Sequence, residues 1–186
     1  LKVAILGSGN WGSAIAKIVG HNAKKTFFFQ DTVPMYVFEE NYNGRKLTEV
    51  INETHENPKY LPGIKLPENI VATPNIREAV KDAHVLVFVM PHQFVQSLCA
   101  EIQGHILPGA KAISLVKGFD CEGNHINLIS EYIRKTLGIE CSSLSGANVA
   151  EGVAKEQFSE TTIGYHPDDF ESAQVFQNLF DTPYFC

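Results

Sequence analysis

The chain has 186 residues, 44% of them hydrophobic, which is enough for one domain with a well-filled core. Its formal net charge of −6 at pH 7 argues against nucleic acid and anionic membranes as partners, because both attract basic surfaces. The four cysteines are not spaced as a disulfide framework or a zinc site, so we expect no metal and a reduced, cytoplasmic setting.

Short apolar segments alternate with segments of helical spacing along almost the whole chain. The predicted strands are Lys2–Leu6, Val33–Phe38, Ile70–Thr73, Val85–Met90, Ala112–Val116, Ser142–Ser145 and Thr162–Tyr165. The predicted helices are Trp11–His21, Leu47–Glu56, Ile76–Lys81, Gln93–Ile102, Ile126–Leu137 and Asp169–Phe180. Several strands are continuously apolar, which is typical of parallel strands covered on both faces. This order predicts a doubly wound α/β domain with a mostly parallel sheet over residues 1–186.

The ends of two predicted helices carry capping residues. Asn75 precedes Ile76 as an N-cap, and Gly138 follows Leu137 as a C-cap. A stretch rich in proline and glycine at 57–67 is predicted to be a connection within the domain, because no linker, repeat or low-complexity tract divides the chain.

A glycine pattern joins the first predicted strand to the first helix. Gly7, Gly9 and Gly12 form G-x-G-x-x-G within GSGNWG. In such a turn the first glycine permits the bend, the second lets main chain approach a diphosphate, and the third lets helix and strand pack closely. Amides at the start of the helix then point at the phosphates. The context favours dinucleotide binding over a purely structural turn.

Two acids follow the second predicted strand. We expect Glu39 and Glu40 to bind the adenosine ribose, although they come later in the chain than usual, which an insertion over 24–32 would explain. No arginine follows until Arg45, so NAD is favoured over NADP. Phe38 either flanks the adenine or packs in the core.

Two basic groups follow later strands, at the sheet edge where ligands bind in such folds. His92 comes after the fourth predicted strand and is either a helix cap or core group, or a proton carrier. Lys117 comes after the fifth and is either a solvated charge or a ligand for an anion or a carbonyl. Position alone leaves both alternatives open.

Longer stretches resemble one known family. GSGNWG, VFEE, YLPGIKLPENI, PHQF, SLVKGFD and SGANVAEGVAKEQFSETTIG are similar, in this order, to successive motifs of the eukaryotic-type NAD-dependent glycerol-3-phosphate dehydrogenases. The resemblance implies reversible hydride transfer between NAD(H) and dihydroxyacetone phosphate or sn-glycerol 3-phosphate. It also implies a cytoplasmic enzyme that is a homodimer at full length.

The resemblance implies roles for individual residues. The cofactor diphosphate is expected to lie on the turn formed by Gly7, Ser8, Gly9, Asn10, Trp11 and Gly12. Phe38, Phe94 and Ala150 are expected to contact the cofactor. Lys117 is expected to contact the substrate, and Asn148 to lie near the nicotinamide.

Two departures from the family pattern are visible. At Glu151 and Gly152, relatives more often have a small or hydroxyl residue followed by Glu. No residue of this chain is therefore assigned the role of that family glutamate. The family also has a second, mostly helical domain that supplies a lysine base and an arginine for the substrate phosphate. We therefore expect this chain to be the cofactor-binding half, without that domain and inactive alone.

Two other functions remain open. A hydroxyacyl-CoA or 6-phosphogluconate type of dehydrogenase also has a helical second half, although YLPG and GANVA disfavour it. A stand-alone NAD-binding module that senses redox state or docks a partner needs no second domain.

The chain has a single tryptophan, Trp11, inside the predicted phosphate turn. A small residue would serve phosphate contact equally well, so we expect the ring to face the cleft or a second domain. The alternative is that it packs beneath a neighbouring loop within this domain.

Overall fold

A computed structural model describes residues 1–122 and 125–186, and the side chains of residues 119–126, Cys121 among them, lie outside the described part. The strands are β1 (Val3–Leu6), β2 (Val33–Tyr36), β3 (Asn41–Tyr42), β4 (Arg45–Lys46), β5 (Ile70–Thr73), β6 (Val85–Phe88), β7 (Lys111–Ser114), β8 (Phe119–Glu122), β9 (His125–Leu128), β10 (Glu140–Ser145) and β11 (Thr162–Gly164). The helices are α1 (Asn10–Lys25), α2 (Leu47–Thr54), α3 (Ile76–Val80), α4 (Val95–Ile102), α5 (Ile129–Leu137), α6 (Ala150–Ala154) and α7 (Phe170–Phe180), with a 3₁₀ turn over His92–Phe94.

Seven strands form the main sheet in the order β11-β10-β7-β6-β1-β2-β5. All neighbours pair in parallel except β10 and β11, which are antiparallel. From β1 the sheet extends to one side through β2 and β5 and to the other side through β6 and β7, so the strand order reverses between β1 and β6. Ligands bind at such a switch point, outside the carboxyl ends of the strands. The predicted doubly wound, mostly parallel sheet is confirmed.

The sheet is buried on both faces, which explains its continuous apolar strands. Val3 and Ile5 of β1 pack in one cluster with α1 and α7, whereas Ala4 and Leu6 pack in the opposite cluster with α3, α4 and α5. All four side chains are 0% exposed. Because successive side chains of a strand point to opposite faces, an uninterrupted apolar run is what a central strand requires.

Both predicted caps are confirmed. The Asn75 side chain accepts hydrogen bonds from the main-chain N–H groups of Arg77 and Glu78 at the start of α3. Gly138 ends α5 in the left-handed conformation, at φ 67°, and its N–H bonds to the Arg134 carbonyl. These local signals end helices where side-chain periodicity alone does not.

Several predicted boundaries are wrong. The helix expected from Ile126 begins at Ile129, because His125–Leu128 pairs with Phe119–Glu122 as an antiparallel hairpin. Helix α1 continues to Lys25 with Asn22 and Ala23 buried, so residues 24 and 25 are not part of an insertion. Strand β2 ends at Tyr36, two residues before the predicted end at Phe38.

Two small features were not predicted. The hairpin of β3 and β4 leads into α2, and the short helix α6 packs against α1. Within the described residues, no helix is long and apolar enough to cross a membrane.

Candidate functional site: two cavities at the carboxyl edge of the sheet

Each glycine of the turn between β1 and α1 has a different environment. A Cβ on Gly7 would lie 2.3 Å from the Val89 carbonyl oxygen, and Gly7 has φ +128°, so this position requires glycine. A Cβ on Gly12 would lie 2.5 Å from the Gly7 oxygen, which reflects close packing of helix on strand. A Cβ on Gly9 would meet nothing within 4 Å. Gly9 therefore faces open space, which suits the approach of a diphosphate.

That open space belongs to a cavity of about 470 Å³, called here the nucleotide cavity. It lies at the switch point and is lined by Gly7, Ser8, Gly9, Tyr36, Phe38, Glu40, Tyr60, Ile76, Val89, Met90, Pro91, Phe94, Ser97, Leu98 and Glu101. Phe38 is 71% exposed and Phe94 is 53% exposed. The alternative that Phe38 packs in the core is therefore wrong, and two aromatic faces are available to a planar ligand.

Only one of the two predicted ribose-binding acids lines the nucleotide cavity. Glu39 accepts hydrogen bonds from the N–H and the hydroxyl of Thr48, at 3.2 and 2.6 Å, at the start of α2. Glu40 lines the cavity and accepts from the Lys59 ammonium at 2.7 Å and from the Tyr60 hydroxyl at 2.6 Å. Glu39 therefore binds the start of α2, and Glu40 alone of the two faces the nucleotide cavity.

Hydrogen bonding sets the protonation of the Glu40 cluster. Bonds from Lys59 and then Tyr60 hold the pKa of the Glu40 carboxyl below its ordinary value. The same carboxylate raises the pKa of the Tyr60 hydroxyl. At neutral pH Glu40 is therefore an anion and Tyr60 a neutral donor, so this wall of the cavity presents negative charge beside one ammonium.

A second cavity, of about 360 Å³, lies beyond the ends of β7 and β10 and is called here the Lys117 cavity. Its lining includes Trp11, Ser114, Lys117, Ser145 and Asn148. The Lys117 ammonium donates to the Asn148 main-chain oxygen at 3.2 Å. The buried Asn148 side chain donates to the Glu160 carbonyl at 3.0 Å. Lys117 and Asn148, singled out from separate motifs, are thus brought together.

The half-buried Trp11 ring borders the Lys117 cavity on one side and the core on the other. It meets the buried Phe185 ring edge-on, with centroids 6.2 Å apart and planes at 61°. It also packs against the cluster of Ala14, Leu61, Ala150 and Ala154. Trp11 therefore combines the two alternatives, since it lines the cleft and also packs within the domain.

Three further residues singled out in the sequence line neither the nucleotide cavity nor the Lys117 cavity. Ala150 is buried in the cluster with Ala14 and does not line the nucleotide or the Lys117 cavity, so its contact with a cofactor stays a prediction. His92 is exposed at the start of the 3₁₀ turn, close to Gly118. The exposed Glu151 pairs with Lys155 at 2.5 Å along α6.

Sequence reasoning missed two elements of the site. Lys59 and Tyr60 lie in the connection at 57–67, and nothing in their spacing indicates a partner at Glu40. Asn57, from the same connection, lies beneath the phosphate turn and donates to the Ser8 carbonyl. An asparagine directly before a proline, at the start of this connection, was the available signal.

Burial keeps the thiols of Cys99 and Cys141 protonated. Cys99 is fully buried, and burial raises the pKa of its thiol to about 12. Cys141, like Cys99, has a thiol pKa raised chiefly by burial, and both are free thiols. No group of three or more His, Cys, Asp or Glu side chains in the described part is placed to hold a metal ion.

Known proteins match both sequence and structure. The family sequence model described as the NAD-dependent glycerol-3-phosphate dehydrogenase N-terminus matches residues 2–171. The glycerol-3-phosphate dehydrogenase 1-like protein of Xenopus tropicalis is 56% identical over 185 residues, which are 100% of this chain and 52% of that protein. Human cytoplasmic glycerol-3-phosphate dehydrogenase (NAD(+)) is 53% identical over 184 residues, 99% of this chain and 52% of that protein.

A solved structure of the same family has the same fold as this chain. The glycerol-3-phosphate dehydrogenase structure from Saccharomyces cerevisiae superposes with a TM-score of 0.94 at 49% identity, covering 100% of this chain and 55% of that one. The chain spans about half the length of the curated relatives that it matches.

Proposed function

The chain belongs to the NAD-dependent glycerol-3-phosphate dehydrogenase family, and from this premise we propose that it binds NAD(H) as the cofactor-binding part of such an enzyme. The reaction is reversible hydride transfer between NAD(H) and C2 of dihydroxyacetone phosphate or sn-glycerol 3-phosphate. The observation that carries the proposal is Gly9, which opens onto the nucleotide cavity at the switch point of the sheet. Family membership disfavours the hydroxyacyl-CoA and 6-phosphogluconate types and the stand-alone sensing or docking module.

The turn and the nucleotide cavity fit the two ends of an adenosine diphosphate group. Main chain around Gly9 and the start of α1 would hold the diphosphate, with Ser8, Asn10, Trp11 and Gly12 completing the turn. The exposed rings of Phe38 and Phe94 would cover the adenine. Gly7 keeps the turn tight enough for this approach.

Lys117 would act on the substrate. When bound, NAD⁺ would accept the hydride and NADH would donate it. The Lys117 ammonium would hydrogen-bond the C2 oxygen and stabilise the negative charge that develops there. The Asn148 carbonyl and the Trp11 ring hold that ammonium at the edge of the Lys117 cavity, and Asn148 would lie near the nicotinamide. Holding the two reacting carbons in contact is the remaining task of the chain.

A proton carrier and a phosphate ligand for the substrate would come from the second half that the relatives possess. The described side chains around the Lys117 cavity offer one ammonium and several hydroxyls, which do not make a base and a phosphate site together. We therefore expect the 186-residue chain to fold and bind NADH but not to reduce dihydroxyacetone phosphate.

The test is NADH binding by calorimetry together with an absorbance assay of NADH oxidation on the same preparation. Binding without turnover supports the proposal. Robust turnover by the homogeneous chain would contradict the two-domain account and direct attention to His92 and Lys117 as proton carriers. Absence of NADH binding would overturn the proposed function.

The proposal also includes the cellular location and the oligomeric state. A cytoplasmic location is supported by the name of the human relative, and fractionation of cells that express the native gene tests it. A homodimer at full length rests on the family resemblance alone, and the mass in solution of a full-length protein tests it.

A further inference from the structure

The side chain of Asn57 is completely buried beneath the phosphate turn. Its amide nitrogen donates to the Ser8 carbonyl at 2.8 Å and to the Ser13 hydroxyl at 2.9 Å. The Ser13 hydroxyl itself donates to the Ser8 carbonyl at 3.3 Å. Two donors, one from α1 and one from the connection at 57–67, therefore converge on a single carbonyl of the turn.

The orientation of the Asn57 amide follows from chemistry. A carbonyl oxygen can only accept, so the group facing Ser8 must be the nitrogen of Asn57 and not its oxygen. The Oδ1 atom is thereby directed away, and it is buried without a hydrogen-bond partner among the described residues. A buried acceptor without a partner lowers stability, so this side chain is not the choice that stability alone would favour.

The contact controls the direction of the next amide. The Ser8 carbonyl and the Gly9 N–H belong to one planar peptide unit, and the described chain contains no cis peptide. In a trans unit these two groups point in opposite directions. Holding the Ser8 oxygen inward, toward Asn57 and Ser13, therefore directs the Gly9 N–H outward, and Gly9 lines the nucleotide cavity.

We propose that Asn57 is a positioning residue for diphosphate binding, which holds the Ser8 carbonyl so that the Gly9 N–H faces the ligand phosphates. The proposal rests on the proposed binding of NAD(H). It gives the connection at 57–67 a role at both ends of the nucleotide cavity, since Tyr60 of the same segment binds Glu40. Preorganised donors bind an anion more tightly because no reorientation is needed on binding.

Asn57→Asp tests the proposal with almost no change of shape. An oxygen would then face the Ser8 carbonyl, so an attraction becomes a repulsion between two acceptors. We expect the affinity for ADP to fall at least about tenfold, whereas the affinity for adenosine, which has no phosphate, stays within about twofold. Calorimetry with both ligands gives the ratio, and thermal unfolding gives the stability.

Asn22→Asp is the matched control. Asn22 is also buried, lies at the other end of α1, and donates from its amide nitrogen to the carbonyls of Leu179 and Asp181 at 2.9 and 3.1 Å. This control should lose stability with an unchanged ratio of ADP to adenosine affinity. Loss of stability alone therefore does not imitate the expected result.

An unchanged ratio in Asn57→Asp would overturn the inference while leaving nucleotide binding by the wild-type chain intact. The carboxylate of Asn57→Asp would also repel the ADP phosphates directly, so the uncharged Ser13→Ala decides between the two causes, and it also serves if Asn57→Asp does not fold. Ser13→Ala removes one of the two donors to Ser8 and leaves Asn57 in place. It should weaken ADP about threefold without affecting adenosine, and unchanged ADP affinity would overturn the inference. A wild-type chain that binds no NADH would refute both this inference and the proposed function.

Discussion

The ammonium nitrogen of Lys117 lies 6.0 Å from the centroid of the Trp11 ring. An indole face attracts a cation at this distance, and the ring in turn rests against Phe185. Trp11 stands at the start of α1, whereas Lys117 follows β7. The contact therefore joins the phosphate turn to the Lys117 cavity.

Lys117→Ala is expected to impair turnover in an enzyme where this chain is joined to the half that its relatives possess. Loss of one donor to a developing oxyanion typically lowers kcat/KM by on the order of 10²-fold. Lys117→Arg should also be impaired, because a planar guanidinium does not replace a compact ammonium. Steady-state kinetics measure both effects.

Nucleotide affinity provides the control for these variants. It should change little, because the proposed diphosphate contacts are at the turn of Gly7 to Gly12. If Lys117 is only a solvated charge, both variants will turn over within a few-fold of wild type. That result would remove Lys117 from the mechanism.

Gly9→Ala should separate binding from stability. The added methyl group meets nothing within 4 Å, and Gly to Ala at an N-cap costs little more than about 1 kcal/mol. The methyl group would occupy the proposed diphosphate position, so NADH affinity should fall at least about tenfold. A bulkier residue at Gly9 should abolish binding.

Gly12→Ala is the matched comparison within the same turn. Its Cβ would lie 2.5 Å from the Gly7 oxygen, so we expect destabilisation of about 1–3 kcal/mol in chemical denaturation. Retained NADH affinity in Gly9→Ala would show that the turn is structural only.

The wild-type chain should bind NAD(H) more tightly than NADP(H), because the Glu40 carboxylate would repel a 2′-phosphate. In Glu40→Gln, the Lys59 ammonium loses the carboxylate 2.7 Å away and becomes available to that phosphate. The preference should therefore fall at least about tenfold. Glu39→Gln, whose partner is Thr48, should leave it unchanged. Calorimetry with both nucleotides tests this, and equal preference in wild type and Glu40→Gln would exclude the ribose role.

The NAD preference should also be independent of pH in the mildly alkaline range. The pKa of Glu40 lies below its ordinary value of 4.5, so its ionised form is fully present above that value. The charge is lost only as the pH falls through the lowered pKa. Because the 2′-phosphate of NADP(H) itself titrates at about pH 6, the affinity ratio of the two nucleotides should be constant only between about pH 7.5 and pH 9, and a change within this range would point to another group.

Phe185→Ala should destabilise the chain by about 3–5 kcal/mol, because it removes a fully buried aromatic ring. Trp11 is the only tryptophan, so its fluorescence should shift to longer wavelength as the edge contact is lost. Phe27→Ala removes an exposed ring and should alter stability by no more than about 0.5 kcal/mol. Equal stability of the two variants would show that the C-terminal segment does not support Trp11.

Local sequence determined the class of fold and the position of the phosphate turn. Continuous apolar runs specify central parallel strands because both faces of the sheet are buried. The φ of +128° at Gly7 and the contact of Gly12 with Gly7 arise within a single strand, turn and helix, and Asn75 and Gly138 act on adjacent amides and carbonyls. Signals of this kind are complete within a few residues, so they are readable before the chain is folded.

Tertiary structure alone decided which acid faces the nucleotide cavity, what supports Trp11 and what holds the Ser8 carbonyl. Glu40 lines the cavity, whereas the Glu39 carboxylate is bonded to Thr48 at the start of α2. Phe185 and Asn57 reach α1 from distant segments. Such contacts depend on how the sheet and its connections close in space, and side-chain periodicity along one element carries no record of a partner so far along the chain.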